Sequence, residues 1–229
     1  MRRACLILAL LTWACEPAAR DLGAQAPSSR GPVKSGGTQG IDGVAARIED
    51  DVITESELRE LSAFQELVDG HPQPRVEVIK ELADQWIVRG EARAAKYPRP
   101  SQEEVDRAYA QFMGQFPSPQ EFTARCAKAG LSEAGLHRLI GEQLYLSRFL
   151  DYRFRPAAQV DEKQIEAYYR DEFAPPLKSR GEAVPPLDKV EDTIREVLIQ
   201  RALNDRAEKW LDETRERLKI DVVFEGNVP

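Results

Sequence analysis

The sequence predicts a mostly α-helical domain that is closed by a small β-sheet. Two observations indicate this fold class. Apolar residues recur every three or four positions through most of residues 55–218, which is the spacing of amphipathic helices. Apolar and polar residues alternate, as they do in strands, at residues 44–48 and again at residues 220–224. Because an isolated strand leaves its backbone groups unpaired, we expect the N-terminal and C-terminal strands to pair with each other.

The composition is that of a folded globular domain, with 42% hydrophobic and 31% charged residues among 229. The formal net charge of -7, without a dense basic segment, argues against nucleic acid as the main partner. Three cysteines and two histidines offer few metal ligands, so we expect neither a metal nor another cofactor. No apolar run reaches the roughly 18 residues that a membrane-spanning helix needs.

Residues 1–26 are interpreted as a signal peptide. A short positive stretch precedes an apolar run at residues 4–14, which is too short to span a membrane. Small residues allow cleavage after Ala14 or after Ala26, and a buried core helix is the alternative to a leader. Export predicts a periplasmic location. Cys15 is a candidate for lipid attachment, which would instead make the protein a membrane-tethered lipoprotein.

The remaining chain reads as one domain with flexible ends. Residues 27–42 are rich in Pro, Gly and Ser, which predicts a flexible linker. A single core is expected at residues 43–224, followed by a short tail at residues 225–229. Within the core, residues 174–186 contain four prolines and are expected to form a loop.

Helix starts are signalled by capping residues. Thr54, Ser101, Ser118 and Asp161 are each followed three residues later by Glu or Gln, which is the pattern of a capping box. A brief returning strand is expected between the first strand and Thr54. Helices are expected at about residues 55–68, 75–96, 101–116, 118–130, 132–152, 161–173 and 188–218.

Four segments resemble the SurA-type periplasmic chaperones. The opening hairpin and capped helix of that family are similar to GVAARIEDDVITESELRE, and its next helical pair is similar to FTARCAKAGLSEAGLHRLIGEQLYLSRFL. The segment before its parvulin-type prolyl isomerase domain resembles VDEKQIEAYYRDEF. The helix and strand after that domain resemble PLDKVEDTIREVLIQRALNDRAEKWLDETRERLKIDVVF. The resemblance implies a SurA-like helical chaperone core over residues 43–224.

The isomerase domain itself is missing from this resemblance. Where family members carry a parvulin domain, only residues 174–186 join the two flanking segments. Parvulin active sites are characterised by paired histidines with Cys or Asp. His71 lies beside a proline in an expected loop and His137 lies on an expected helix, and neither is in a parvulin-like stretch. We therefore expect no catalytic residues here.

Large apolar side chains offer a candidate client-binding surface. Phe112, Met113 and Phe116 form a cluster in the sequence, and Tyr145 and Phe149 are expected as neighbours. Aromatic and Met side chains suit promiscuous binding because they bury a large area and adapt their shape. The alternative is that all five are core residues. For Cys126, which follows a helical spacing, we expect a core position.

These observations favour an exported, ATP-independent holdase chaperone. It would bind unfolded exported polypeptides, including outer-membrane barrel precursors, by apolar burial and without isomerase activity. One alternative is a structural or adaptor module with a single dedicated partner or with itself as partner. Another is a residual peptidyl-prolyl isomerase that uses His71 or His137.

Overall fold

The structure, a computed structural model, describes residues 42–223. Helices dominate these residues, and their three strands form one antiparallel sheet, which confirms the predicted fold class. No helix among the described residues combines the length and the apolar character that crossing a membrane requires. The expected leader, Cys15, nearly all of the linker and residues 224–229 lie outside the described part of the chain.

The sheet joins the two ends of the described chain. Its strands are β1 (Val44–Ile48), β2 (Asp51–Thr54) and β3 (Ile220–Val222), in the order β2–β1–β3. Arg47 in the centre of β1 lies opposite Val52 of β2 and opposite Asp221 of β3. The expected pairing of the N-terminal strand with the C-terminal strand is therefore confirmed.

A bulge in β1 sets how the sheet sits on the helices. The register between β1 and β2 shifts between Val44 and Ala46, which leaves Ala45 as an extra residue. As a result Ala45 and Ala46, although consecutive, are both fully buried, and so is Ile48. The small alanine side chains let the sheet approach the helices closely.

Five helices follow the hairpin, and three of them start directly after the predicted capping residues Thr54, Ser101 and Ser118. Thr54 and Ser101 each form both halves of a capping box, whereas Ser118 supplies only the N-cap half. Asp42, at the end of the expected linker, also accepts a hydrogen bond from the Ser56 backbone N–H at 3.1 Å. The helices are α1 (Glu55–Asp69), α2 (Arg75–Ala94), α3 (Gln102–Met113), α4 (Pro119–Ala129) and α5 (Glu133–Phe154).

The structure corrects the loop that was expected over residues 174–186, because its first six residues are helical. Helix α6 (Glu162–Tyr168) continues through a π-helical turn (Tyr169–Phe173) into α7 (Ala174–Ser179). Two prolines are tolerated in the first turn of α7 because the wider π turn rearranges the hydrogen bonds just before them. The last helix, α8 (Leu187–Arg215), follows a short irregular connection.

Two apolar clusters form the interior. The first cluster contains the inner face of the sheet, α1, the first half of α2, and side chains of α3, α4 and the start of α5. The second cluster contains the second halves of α2, α5 and α8. Phe64 is a fully buried member of the first cluster, and Leu146 is one of the second. Trp86 of α2 packs against both.

Helix α8 buries different sides in its two halves. In the first half Ile194 is buried and Leu198 is half-buried, and the helix contacts α6. In the second half Leu203, Ala207 and Leu211 are buried in the second cluster. At about 100° per residue, these two stripes lie on roughly opposite sides of the helix. Helix α8 therefore connects two bodies that pack on opposite faces of it.

The contact between the two chain ends includes a reciprocal pair of hydrogen bonds. The Glu49 N–H donates to the Lys219 carbonyl at 3.0 Å, and the Lys219 N–H donates to the Glu49 carboxylate at 2.8 Å. We expect Glu49→Ala to lower the free energy of unfolding by about 1 kcal/mol, because one of these bonds is lost. Glu49→Gln keeps an acceptor and should stay near the parent value in urea unfolding. An equal loss in both variants would contradict a role for the hydrogen bond.

Glu104 ties the start of α3 to α5. Its carboxylate accepts hydrogen bonds from the Ser101 N–H at 2.8 Å and from the Arg148 guanidinium at 2.7 Å. The Ser101 N–H, followed by Arg148, lowers the pKa of Glu104 from 4.5 to about 2. Because the pKa of Glu104 is lower in the folded state than in the unfolded state, the Glu104 carboxylate stabilises the fold above pH 4.5. This stabilisation is lost as the pH falls toward about 2.

Replacing this carboxylate should therefore change the acid response of the protein. We expect the thermal midpoint of Glu104→Gln to fall less than that of the parent between about pH 5 and about pH 2. Thermal scans across this range measure the difference. Glu103→Gln, on the same turn of α3 and without a resolved pKa shift, is the control. If the thermal midpoints of the parent and of Glu104→Gln fell equally over this pH range, the prediction would be wrong.

Candidate functional site

The structure places three of the five expected client-binding residues in the core. Phe112 and Tyr145 are 2% exposed and Phe149 is 1% exposed. These three side chains therefore fill the interior and do not line an open groove, which corrects the expectation. Met113 and Phe116 are half-buried at the edge of the first cluster.

The five residues also belong to two separate groups. Phe112 and Phe116 lie with their ring centroids 5.4 Å apart, and both rings contact Phe122 of α4. Tyr145 and Phe149 instead pack around Tyr97 in the second cluster. The expectation that they neighbour the α3 residues is wrong, because α5 passes through both clusters and its second half faces α2 and α8.

Little apolar surface is left at Phe116. Its ring centroid is 5.0 Å from that of Phe122, and the guanidinium of Arg125 lies 5.6 Å from the Phe116 centroid. The α3–α4 corner is therefore mostly covered by its own side chains.

The histidines and the described cysteine have structural surroundings. His71 is exposed in the connection between α1 and α2. His137 stacks on Tyr109 at 4.0 Å, and its Nδ1 atom lies 3.4 Å from an Asp106 carboxylate oxygen. Cys126 is buried in the first cluster, as expected, and burial raises the pKa of its thiol. Within residues 42–223, no group of three His, Cys, Asp or Glu side chains is arranged to hold a metal ion.

Two shallow clefts are lined by small and polar residues together with a few charged ones. A cleft of about 380 Å³ lies between α1 and the start of α5, next to Glu60, which pairs with Arg138. A second cleft of about 450 Å³ lies beside α5, and there Arg99 contacts Glu142 at 3.1 Å. Arg99 and Arg138 therefore already have carboxylate partners, whereas Arg59 in the first cleft donates to the Glu55 carbonyl and the Ser56 hydroxyl.

An incompletely covered apolar surface lies on the part of the chain that we call the arm. The arm comprises α6, the π-helical turn, α7, residues 180–186 and α8 up to residue 199. Few of its apolar side chains are buried, namely Ile165, Ala174 and Ile194. The others are half-buried and belong to neither apolar cluster: Tyr168, Tyr169, Phe173, Leu177, Val184, Leu187, Val190, Val197, Leu198 and Ile199.

Polar contacts hold the aromatic residues of the arm in place without enclosing them. The Tyr169 hydroxyl donates to the Pro185 carbonyl at 2.8 Å, and its ring stacks on Phe173 with centroids 5.8 Å apart. The guanidinium of Arg201 lies 4.7 Å from the centre of the Tyr168 ring and contacts Glu172 at 2.7 Å. The arm therefore presents a preorganised apolar surface, which can bind with little loss of side-chain entropy.

Sequence reasoning did not single out this surface, although a signal for it exists. Tyr168, Tyr169 and Phe173 precede a proline pair, so they stand at a place where a regular helix is interrupted. Helix α8 also carries apolar residues around its whole circumference, which indicates that one packing partner cannot cover them all.

No protein-family model matches the chain, and no curated protein matches it.

Proposed function

We propose that the protein is an exported, ATP-independent holdase that resembles a SurA-type chaperone core without an isomerase domain. It binds extended apolar segments of unfolded exported polypeptides and keeps them from aggregating. Burial of apolar surface drives this binding, and such burial requires neither a reacting group nor a nucleotide.

The arm is the single observation that carries this proposal. Its half-buried side chains retain apolar area that a client segment can cover, at about 25 cal/mol for each Å² removed from water. The arm also comprises most of the segment that resembles the one before the parvulin domain, the short connection in place of that domain, and the start of the helix that resembles the one after it. The surface is spread over several side chains, which suits many clients better than one deep pocket does.

Light scattering of an aggregating client protein tests the proposal. The parent chain, at equimolar amounts or in several-fold excess, should suppress the scattering. Replacing the half-buried Leu177 and Val197 together with serine should weaken client binding about thirtyfold, because each change removes about 1 kcal/mol of apolar burial. Circular dichroism checks that the variant remains folded.

Val76→Ser is the matched control, because Val76 is 55% exposed but lies at the start of α2, outside the arm. This variant should suppress aggregation as well as the parent does. No suppression by the parent in several-fold excess would overturn the proposed function. An equal loss in Val76→Ser would show that the arm is not the binding surface.

Affinity capture from periplasmic extract separates the holdase from an adaptor. Many unrelated unfolded polypeptides should be retained by the parent and lost by the Leu177→Ser, Val197→Ser variant. One stoichiometric partner in their place would favour the adaptor.

A further inference from the structure

A layer of polar side chains interrupts the interior between the two apolar clusters. On α2, the first cluster ends at Ala83 and the buried part of the second begins at Ile87. Between them lie Asp84 and Gln85, and both side chains are buried.

Helix α5 has the same interruption at the same level. Its buried residues belong to the first cluster up to Ile140 and to the second from Tyr145 onward. Gln143, between them, is fully buried, and the neighbouring Glu142 contacts Arg89 of α2 at 2.5 Å. This ion pair joins α2 to α5 about one turn beyond Gln85, where both helices pass from the first cluster to the second. We call Asp84 and Gln85 of α2, together with Glu142 and Gln143 of α5, the polar belt.

The hydrogen bonds of the polar belt are incomplete. The Gln85 Nε2 and Gln143 Oε1 atoms are buried, and neither has a hydrogen-bond partner among the described residues. Asp84 is paired with Arg215 at the end of α8, so α8 reaches the belt as well. A partly satisfied polar layer stabilises the interior less than apolar packing does, because unmade buried hydrogen bonds are costly.

The second cluster is also the less securely held of the two. Its share of α8 consists of Leu203, Ala207 and Leu211, and Asn204 on the same stretch leaves its buried Oδ1 atom unpaired. Its shares of α2 and α5 are the second halves of those helices. The first cluster, in contrast, includes α1, α3, α4 and the sheet.

We propose that the polar belt divides the domain into two cooperative units and that the second unit opens while the first stays folded. The second unit contains the second cluster, α8 and the arm. Its opening exposes Tyr145 and Phe149, which are enclosed in the closed structure. Regions with few buried apolar contacts open locally at a lower free energy than the whole domain does.

Native-state amide hydrogen exchange of the full chain, followed by mass spectrometry in increasing denaturant, tests the inference without any client. Amides of residues 87–92 and 145–150 should exchange through an opening with a shallow denaturant dependence. Amides of residues 78–83 and 136–140 should exchange only through global unfolding, with a steep dependence. A single free energy and a single slope for both sets would overturn the proposal.

Gln85→Met with Gln143→Met, which keep side-chain length and remove the unpaired amides, should stabilise the closed state against opening of the second unit and against global unfolding alike, because the belt is disrupted in both. We expect exchange of the second unit to slow about tenfold. Gln65→Met is the control, because Gln65 is a buried glutamine with an unpaired Oε1 on α1, away from the belt. It should slow exchange at residues 78–83 and 136–140 and leave exchange at residues 87–92 and 145–150 unchanged, because only global unfolding disrupts its surroundings. An unchanged second unit in the double variant, or a slower second unit in Gln65→Met, would contradict the belt as their boundary.

Discussion

Replacing Arg215 with alanine is expected to lower the free energy of unfolding by about 3–5 kcal/mol. Arg215 is the ion-pair partner of Asp84, whose side chain is only 4% exposed in the middle of α2. Without the guanidinium, a carboxylate stays in the interior with neither water nor a counter-charge, which is far costlier than loss of an exposed pair. Urea unfolding followed by circular dichroism measures the change.

Two further variants separate the pair from other contributions of Arg215. Asp84→Met combined with Arg215→Met removes both charges and keeps apolar volume, so its stability should be close to that of the parent. Arg153→Ala removes a more exposed arginine, which pairs with Glu91 at 3.1 Å. This change should lower the free energy of unfolding by about 1 kcal/mol or less. A double variant as unstable as Arg215→Ala would contradict the explanation.

The effect of Arg215→Ala should also depend on pH. Burial raises the pKa of Asp84 above 3.8, and Arg215 opposes this rise. Removing Arg215 raises the pKa of Asp84 in the folded state further. Asp84 therefore binds a proton more tightly in the folded variant than in its unfolded chain. Stability of the variant relative to the parent should therefore recover as the pH falls toward 3.8. A deficit that is the same at neutral and acidic pH would exclude the carboxylate as its cause.

Phe112→Ala is expected to destabilise the protein by about 3–5 kcal/mol, because it opens a cavity in the first cluster. The ring lies 5.6 Å from Phe64 and 6.0 Å from Phe122, measured between centroids, and it is almost completely buried. Thermal and urea unfolding measure the loss.

Phe116→Ala is the matched comparison, since it removes the same side chain from the half-buried edge of that cluster. We expect Phe116→Ala to lower the free energy of unfolding by about 1–2 kcal/mol, because solvent already reaches part of the ring. A small effect of Phe112→Ala, together with weaker client binding, would instead support the sequence-based expectation that Phe112 contacts clients.

Local signals in the sequence were sufficient for much of the fold. Thr54, Ser101 and Asp161 start helices because their side chains accept backbone N–H groups that no helical partner can reach. The pairing of β1 with β3 followed from alternation and from the need of each strand for a partner. These features depend on residues within a few positions of one another, or on a requirement that holds for any strand.

The candidate site depended on contacts that the sequence does not encode locally. The apolar residues of α5 predict burial on more than one side, but not that Tyr145 faces Tyr97 while Leu136 faces the first cluster. The pairing of Asp84 with Arg215 joins residues that are 131 positions apart. Periodicity therefore indicates that a side chain is buried, whereas its neighbours are determined by how the helices pack.

The position of β3 has a consequence for the order of events during synthesis. Glu49 and Lys219, which join β1 to the start of β3, are 170 positions apart in the chain. The hairpin of β1 and β2 emerges before the third strand of its sheet, which is made only after helices α1 to α8. One edge of β1 therefore stays open on each nascent chain until residues 220–222 have been made, and an early-folding intermediate exposes it to other polypeptides.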